Sequence, residues 1–195
     1  MSALATAYLA GGARFLQIRG RQEPDGPFLR ACEDIVSQAH AVGAIVLIND
    51  RADIAEAANA DGVHVGQDDL PPTVIRGILG GSAIVGLSTH SADQVRVAAR
   101  LAIDYVAVGP VFGTHTKAGA GGAVGTDLVS SAAAILRGAG EPRPIVAIGG
   151  ITLDRAPDVL KAGAVAVAVI SDLLATGDPE QRVRQYLQVL ATGQL

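Results

Sequence analysis

The sequence predicts an α/β fold, a TIM (β/α)8 barrel that lacks its first strand at the N-terminus. Three observations predict it. Seven short apolar runs recur along the chain, continuous rather than alternating, as strands buried on both faces are. Helical patterns lie between them in strict alternation, which calls for a parallel sheet. Nearly every run ends in polar or glycine residues. An open doubly wound sheet gathers its ligand groups in one crevice, whereas a barrel draws them from the C-terminal ends of many strands.

Each element follows from local signals. The opening "ALATAYLAGG" reads as a helix stopped by glycines, so a helix precedes any strand. "ARFLQIR" is the first strand, and the helix "PFLRACEDIVSQAHAVG" after it closes on Gly43. "AIVLIND" leads into "RADIAEAANA", and "DGVHVGQ" into "PPTVIRGILG", which ends at Gly80. "AIVGLS" precedes "SADQVRVAARLA", with Ser91 as its cap. "DYVAVG" opens a glycine-rich loop before "TDLVSSAAAILRGAG", whose expected cap is Thr126. "PIVAIGG" is followed by "TLDRAPDVLKAG", from Thr152 to Gly163, and "AVAVAVIS" by "DPEQRVRQYLQVLA", capped by Asp178.

Composition bounds the function. The 195 residues, 49% hydrophobic and 17% charged, suit one domain over the whole chain with a single core. Aromatics are 3% and Trp is absent, so Ala, Val, Ile and Leu must build that core. A net charge of -4 with no basic run sets nucleic-acid binding aside. No apolar run approaches the ~20 residues of a membrane span, and the N-terminus lacks the basic stretch of a secretory signal. The lone Cys32 makes neither an internal disulfide nor a cysteine zinc site, which fits a reducing, cytoplasmic setting; in its helical pattern it reads as a core residue. The expected partners are small molecules, with self-association left open.

Five groups at strand ends carry chemistry. In "IND…GQDD", Asn49 and Asp50 follow one strand and Asp68 and Asp69 the next. Neighbouring parallel strands bring a carboxylate from each to one hard cation, and magnesium takes one or two carboxylates plus water and phosphate oxygens. The same aspartates also read as caps of the helices that follow. In "QIRGR", Gln17, Arg19 and Arg21 alternate to one side while Ile18 packs to the other, and two guanidiniums suit a phosphate or pyrophosphate better than a solvated pair at a barrel mouth. Gly149 and Gly150, with Ile170 and Ser171, follow the last two strands, where barrels of this kind hold phosphate on backbone N–H groups. Ser88 stands at a strand end, able to donate to an oxyanion or to precede a helix cap. His64, within "GVHVG", reads as a packed, hydrogen-bonded core histidine, and His40 as an ordinary helix residue. Finally, "GPVFGTHTK" gathers Thr114, His115 and Thr116 with Lys117, one of two lysines in the chain, ahead of a glycine-rich stretch that reads as a lid.

Together these motifs resemble the thiamine-phosphate synthase family, from about Gly11 to the last helix and in the family's order. The resemblance implies a TIM barrel that joins 4-amino-2-methyl-5-hydroxymethylpyrimidine diphosphate to a thiazole phosphate, releasing pyrophosphate. It implies that Gln17, Ile18, Arg19, Gly20, Arg21 and Asn49 hold the pyrimidine diphosphate, and that Asp50 and Asp69 bind Mg2+. It assigns Ser88 and Lys117 to the diphosphate, and Thr114, His115, Thr116, Gly150, Ile170 and Ser171 to the thiazole phosphate. Arg19, Arg21, Ser88 and Lys117 are then the catalytic set. The chain departs from the family where "RGR" replaces the usual Arg-Glu-Lys, so that Arg21 stands in for a lysine. It departs again in its glycine-rich loop and in the absent first strand. The alternatives are a thiazole tautomerase of the same fold, expected to lack the two aspartates and the T-x-T-K loop, a barrel isomerase of sugar or indole phosphates, and a non-catalytic phosphate-binding barrel.

Overall fold

The computed structural model describes residues 1–20, 23–113, 122–140 and 143–192. Helix α1 (Ser2–Ala10) comes first, as the glycine stop predicts, and strands then alternate with helices. The strands are β1 (Phe15–Ile18), β2 (Ile45–Asn49), β3 (Gly62–Val65), β4 (Ile84–Thr89), β5 (Tyr105–Val108), β6 (Ile145–Ile148) and β7 (Ala166–Ala168). The helices between and after them are α2 (Asp25–His40), α3 (Ala52–Ala57), α4 (Pro72–Leu79), α5 (Ala92–Ala98), α6 (Gly125–Gly138), α7 (Ala156–Lys161), α8 (Ser171–Leu174) and α9 (Pro179–Thr192).

All seven strands are parallel and lie side by side in chain order, the order of a barrel rather than of a doubly wound sheet. Among the described residues the sheet does not close with an eighth strand, and β1 and β7 are its edges. They carry the more open burial patterns, and Phe15 is 48% exposed, whereas β3 and β5 are buried at every position. The sheet is nevertheless strongly curled. Laid flat, β1 and β5 are four strand spacings apart, about 19 Å. The rings of Phe15 on β1 and Tyr105 on β5 meet edge to face with centroids 6.0 Å apart.

Alternation along the strands sorts the apolar residues into layers. One set, including Ile18, Val46, Ile48, Val63, Val65, Val85, Val106 and Val108, packs between sheet and helices. The other lines the inside of the curl, where Leu47, Tyr105 and Ala107 cluster with Ile45, Ile84, Val146 and Ile148. Cys32 is fully buried in the outer layer, and burial, with Glu33 nearby, pushes its thiol up to about 11, the state of an inert core cysteine.

The caps divide. Ser91 accepts from Gln94 N at 3.2 Å, and Asp178 Oδ1 accepts from Gln181 N at 2.9 Å ahead of Pro179. Helix α6 begins a residue before Thr126, which makes no cap. Thr152 bonds Asp154 at 2.5 Å in a turn ahead of α7 instead. At the N-terminal end of the sheet, two aspartates each tie neighbouring strands. Asp61 Oδ2 accepts from Val46 N at 2.7 Å and faces His40, and Asp104 Oδ2 accepts from Val85 N at 2.7 Å and pairs with Arg76. That end serves the fold; the loops at the other end carry the candidate chemistry.

Candidate functional site

Because every strand runs the same way, the C-terminal ends of β1 to β7 form one rim. Gln17, Arg19 and Gly20 lie at the end of β1, Asn49 and Asp50 at that of β2, Asp69 in the loop after β3, and Ser88 on β4. Gly150 follows β6, and Ile170 and Ser171 follow β7. Arg21, Thr114, His115, Thr116 and Lys117 lie outside the described residues. Ile18 buries its side chain in the layer between sheet and helices, which leaves its backbone for the rim.

Inside the curl, beneath the rim, a polar chain crosses from β1 to β4. Gln17 hydrogen-bonds Tyr105, Tyr105 Oη lies 2.7 Å from His64 Nδ1, and His64 Nε2 lies 2.8 Å from Ser88 Oγ. His64, Ser88 and Tyr105 are each under a tenth exposed, so each group needs its partner. Burial raises the Tyr105 phenol above its usual range, and the Gln17 side chain beside it opposes that shift. The imidazole bridges the Tyr105 and Ser88 hydroxyls through its two ring nitrogens. His64 is thus the packed, hydrogen-bonded residue the sequence suggests, and it also orients Ser88.

Tyr105, which joins Gln17 to His64, is the part of the site that motif reasoning does not reach. The available signal is Gly86 in the middle of "AIVGLS", since a glycine inside a strand marks close approach. Gly86 pairs with Tyr105 in register, and a Cβ there would stand 2.0 Å from Tyr105 Cζ.

The carboxylates reach the rim by backbone means. Asp50 has φ 64°, a left-handed conformation that aspartate tolerates better than most residues, and its N–H is fixed to His64 O at 2.8 Å. Neither Asp50 nor Asp69 caps a helix: α3 and α4 start after Arg51 and Pro71, with no side-chain cap. Asp69 Oδ2 accepts from Gly66 N at 2.7 Å, which closes the loop after β3 on itself. Gln67 Nε2 donates to Ser88 O at 2.6 Å, binding that loop to β4. Arg51 is committed to a fork with Asp53 at 2.8 and 2.6 Å and to Asp25 at 2.8 Å. Among the described residues no three His, Cys, Asp or Glu side chains group to hold a metal, so a cation held by rim carboxylates would need its other ligands from water or phosphate.

On the other side of the rim, Gly150 has φ 65° and a Cβ there would stand 2.5 Å from Gly113 O and 2.8 Å from Phe112 O. Only glycine fits that turn, and it leaves the loop backbone bare for a ligand. Arg155 lies over the Phe112 ring at 4.7 Å, bracing this loop against the one after β5.

Known proteins resemble this chain over most of its length. A family model described as thiamine monophosphate synthase matches residues 1–173. The chain is 41% identical over 186 residues to the thiamine-phosphate synthase of Roseiflexus castenholzii, covering 95% of this chain and 79% of that one. It is 42% identical over 199 aligned positions to the thiamine-phosphate synthase of Mycobacterium bovis, covering 97% and 88%. In three dimensions it superposes on the thiamine phosphate pyrophosphorylase from Pyrococcus furiosus with a TM-score of 0.87 at 27% identity, covering 100% and 91%.

Proposed function

We infer the reaction from one premise: the chain belongs to the thiamine monophosphate synthase family. It is a transferase that joins 4-amino-2-methyl-5-hydroxymethylpyrimidine diphosphate to a thiazole phosphate, giving thiamine phosphate and pyrophosphate, and it acts in the cytoplasm. We read the seven curled strands as an arc of the (β/α)8 barrel. Supporting this, α1 and α9 are in contact, with Arg184 Nη2 donating to Ala10 O at 3.3 Å, so the outer helices meet beside the gap between β1 and β7. The observation that carries the functional reading is the rim itself. Adjacent parallel strands present Gln17, Asn49 with Asp50, the Asp69 loop and Ser88 side by side, the groups a pyrimidine diphosphate requires.

In this reading Gln17 to Arg21 and Asn49 hold the pyrimidine diphosphate, and Ser88 and Lys117 bind its phosphates. Thr114, His115 and Thr116, with Gly150, Ile170 and Ser171, hold the thiazole phosphate. Asp50 and Asp69 fit Mg2+: both are carboxylates in the segments that follow neighbouring strands, and Asp69 keeps Oδ1 beyond the oxygen that Gly66 engages. Bound there, the ion supplies positive charge to the oxygens of the leaving diphosphate.

The bond between the pyrimidine methylene and the diphosphate oxygen breaks, and its electron pair leaves with pyrophosphate. The aminopyrimidine ring delocalises the positive charge left on the methylene, and the thiazole nitrogen lone pair closes the new C–N bond. No proton has to be removed for that attack, so the site needs no general base. The positive charges of Arg19, Arg21 and Lys117 are assigned to the charge that accumulates on the leaving group, and the Ser88 hydroxyl, held by His64, is assigned to the same anion. Fixing the thiazole by its phosphate converts the attack into an intramolecular encounter.

The test is a reaction with both substrates and Mg2+, reading thiamine phosphate and pyrophosphate together. Equal amounts of the two, abolished by omitting the thiazole phosphate, are expected. Pyrophosphate released without thiamine phosphate, or no product, contradicts the assignment.

A further inference from the structure

We propose that Asp172 is a positioning residue for the thiazole phosphate, clamping together the two loops whose backbones receive it. The inference rests on the assignment of Gly150, Ile170 and Ser171 to that phosphate, and adds a residue that no motif marks. Asp172 follows Ser171 in the first turn of α8, after β7. Its Oδ2 reaches across to the loop after β6 and accepts from Leu153 N at 3.2 Å, three residues past Gly150. One carboxylate therefore bridges the two backbone segments that line the phosphate position.

The same oxygen is locked from behind by α9. Arg182 donates Nε at 3.1 Å and Nη2 at 2.8 Å, and Tyr186 donates its hydroxyl at 2.6 Å. Arg182 is itself held by Gln185 at 3.0 Å, and Tyr186 Oη lies 3.4 Å from Ile151 O, between Gly150 and Leu153. The Asp172 and Arg182 side chains are 11% and 16% exposed, so the pair is mostly out of water.

Two features separate a phosphate clamp from a simple anchor for α9. An anchor needs only the contacts between α8 and α9, yet Asp172 spends the same oxygen on the N–H of a third segment. A bare carboxylate beside a phosphate would also repel it, and the Arg182 fork cancels that charge while leaving the Asp172 oxygen as an acceptor. With Leu153 N–H released, the loop after β6 keeps its Gly150 turn but loses its tie to Ser171, and the spacing of the N–H donors facing the phosphate relaxes.

The experiment compares Asp172→Ala with three companions in steady-state kinetics and in calorimetric binding of the thiazole phosphate alone. The double variant Asp172→Ala with Arg182→Met removes the clamp without leaving a buried guanidinium unpaired, in case the single variant fails to fold. Asp172→Asn keeps an acceptor oxygen for Leu153. Tyr186→Phe weakens the α9 anchor but spares the bond to Leu153. Both alanine variants are expected to raise KM and Kd for the thiazole phosphate about 10- to 100-fold, the loss of one or two charge-assisted bonds, with KM for the pyrimidine diphosphate unchanged. Asp172→Asn recovers most of that affinity, and Tyr186→Phe lowers thermal stability with both KM values near wild type. Equal effects on both substrates, or a fall in stability with no change in thiazole phosphate affinity, overturn the proposal. Wild-type protein that makes no thiamine phosphate refutes the transferase reading; the calorimetric arm then still decides the clamp, since unaltered binding in the alanine variants overturns it.

Discussion

Gly86→Ala is the change that most directly probes the inside of the curl. The new Cβ would lie 2.0 Å from Tyr105 Cζ, 2.3 Å from its hydroxyl and 2.4 Å from Cε1. Carbon atoms rest at about 3.5–4.0 Å, so the ring must retreat by roughly 1.5 Å. It has little freedom to do so: it stacks on His64 at 5.5 Å, meets Phe15 edge-on, and its hydroxyl hydrogen-bonds His64 Nδ1 at 2.7 Å. A retreat of that size breaks the bond and takes the Tyr105 hydroxyl away from a buried imidazole nitrogen. Overpacking costs about 1–3 kcal/mol and the orphaned polar group about 1–3 kcal/mol more. We expect a loss of about 3 kcal/mol or more in urea unfolding, with a raised KM for the pyrimidine diphosphate because Ser88 loses its brace. Adding Tyr105→Phe should give no relief, since Cζ itself is in the way. Adding Tyr105→Val should recover part of the loss, a coupling that a double-mutant cycle reads. An unchanged urea midpoint for Gly86→Ala, or strictly additive effects with Tyr105→Val, would refute this account of the interior.

Other perturbations separate the two ends of the sheet. Asp104→Ala removes the acceptor for Val85 N and the partner of Arg76 at the N-terminal end; because the aspartate side chain is 46% exposed, we expect a loss of only about 1–2 kcal/mol in urea unfolding, with kcat and both KM values unchanged. A fall in kcat would show that this end is not purely structural. Burial raises the Tyr105 and Tyr186 phenols above their usual range, the Asp172 carboxylate adding to the effect at Tyr186. Both stay protonated in the folded state when the unfolded chain ionises, so their contribution is complete below about pH 10 and falls above it by about 1.4 kcal/mol per pH unit for each. Denaturant midpoints measured from pH 9 to 11 should therefore fall more steeply for wild type than for Tyr186→Phe, and parallel curves contradict the assignment.

The sequence reveals strand order well because each strand is short, apolar and bounded by turn residues, and its alternation with helices leaves little choice of topology. It also exposes what the backbone delivers to a strand end, such as Asn49, Asp50 and Gly150. Contacts inside the curl are not visible that way. Tyr105 reaches Phe15 and Gln17 four strands away only because the sheet bends, and no local pattern encodes the degree of bending. Side chains that act on another loop, as Asp172 acts on Leu153, look in sequence like any acid in a helix's first turn. The cap reading of Asp50 fails for a local reason: its left-handed backbone directs the chain into the turn that precedes α3, leaving the helix to begin after Arg51.

The proposed magnesium site has Asp50 and Asp69 jointly hold one Mg2+ against the leaving diphosphate. It is tested most directly by the turnover of Asp50→Ala, Asp69→Ala and the double variant at saturating substrates over a range of Mg2+ concentrations. If both carboxylates serve a single ion, each single variant loses most of the magnesium-dependent rate, about 100-fold or more, and the double variant loses little beyond that. Single variants that keep wild-type turnover and magnesium dependence, or losses that simply multiply in the double variant, would contradict it.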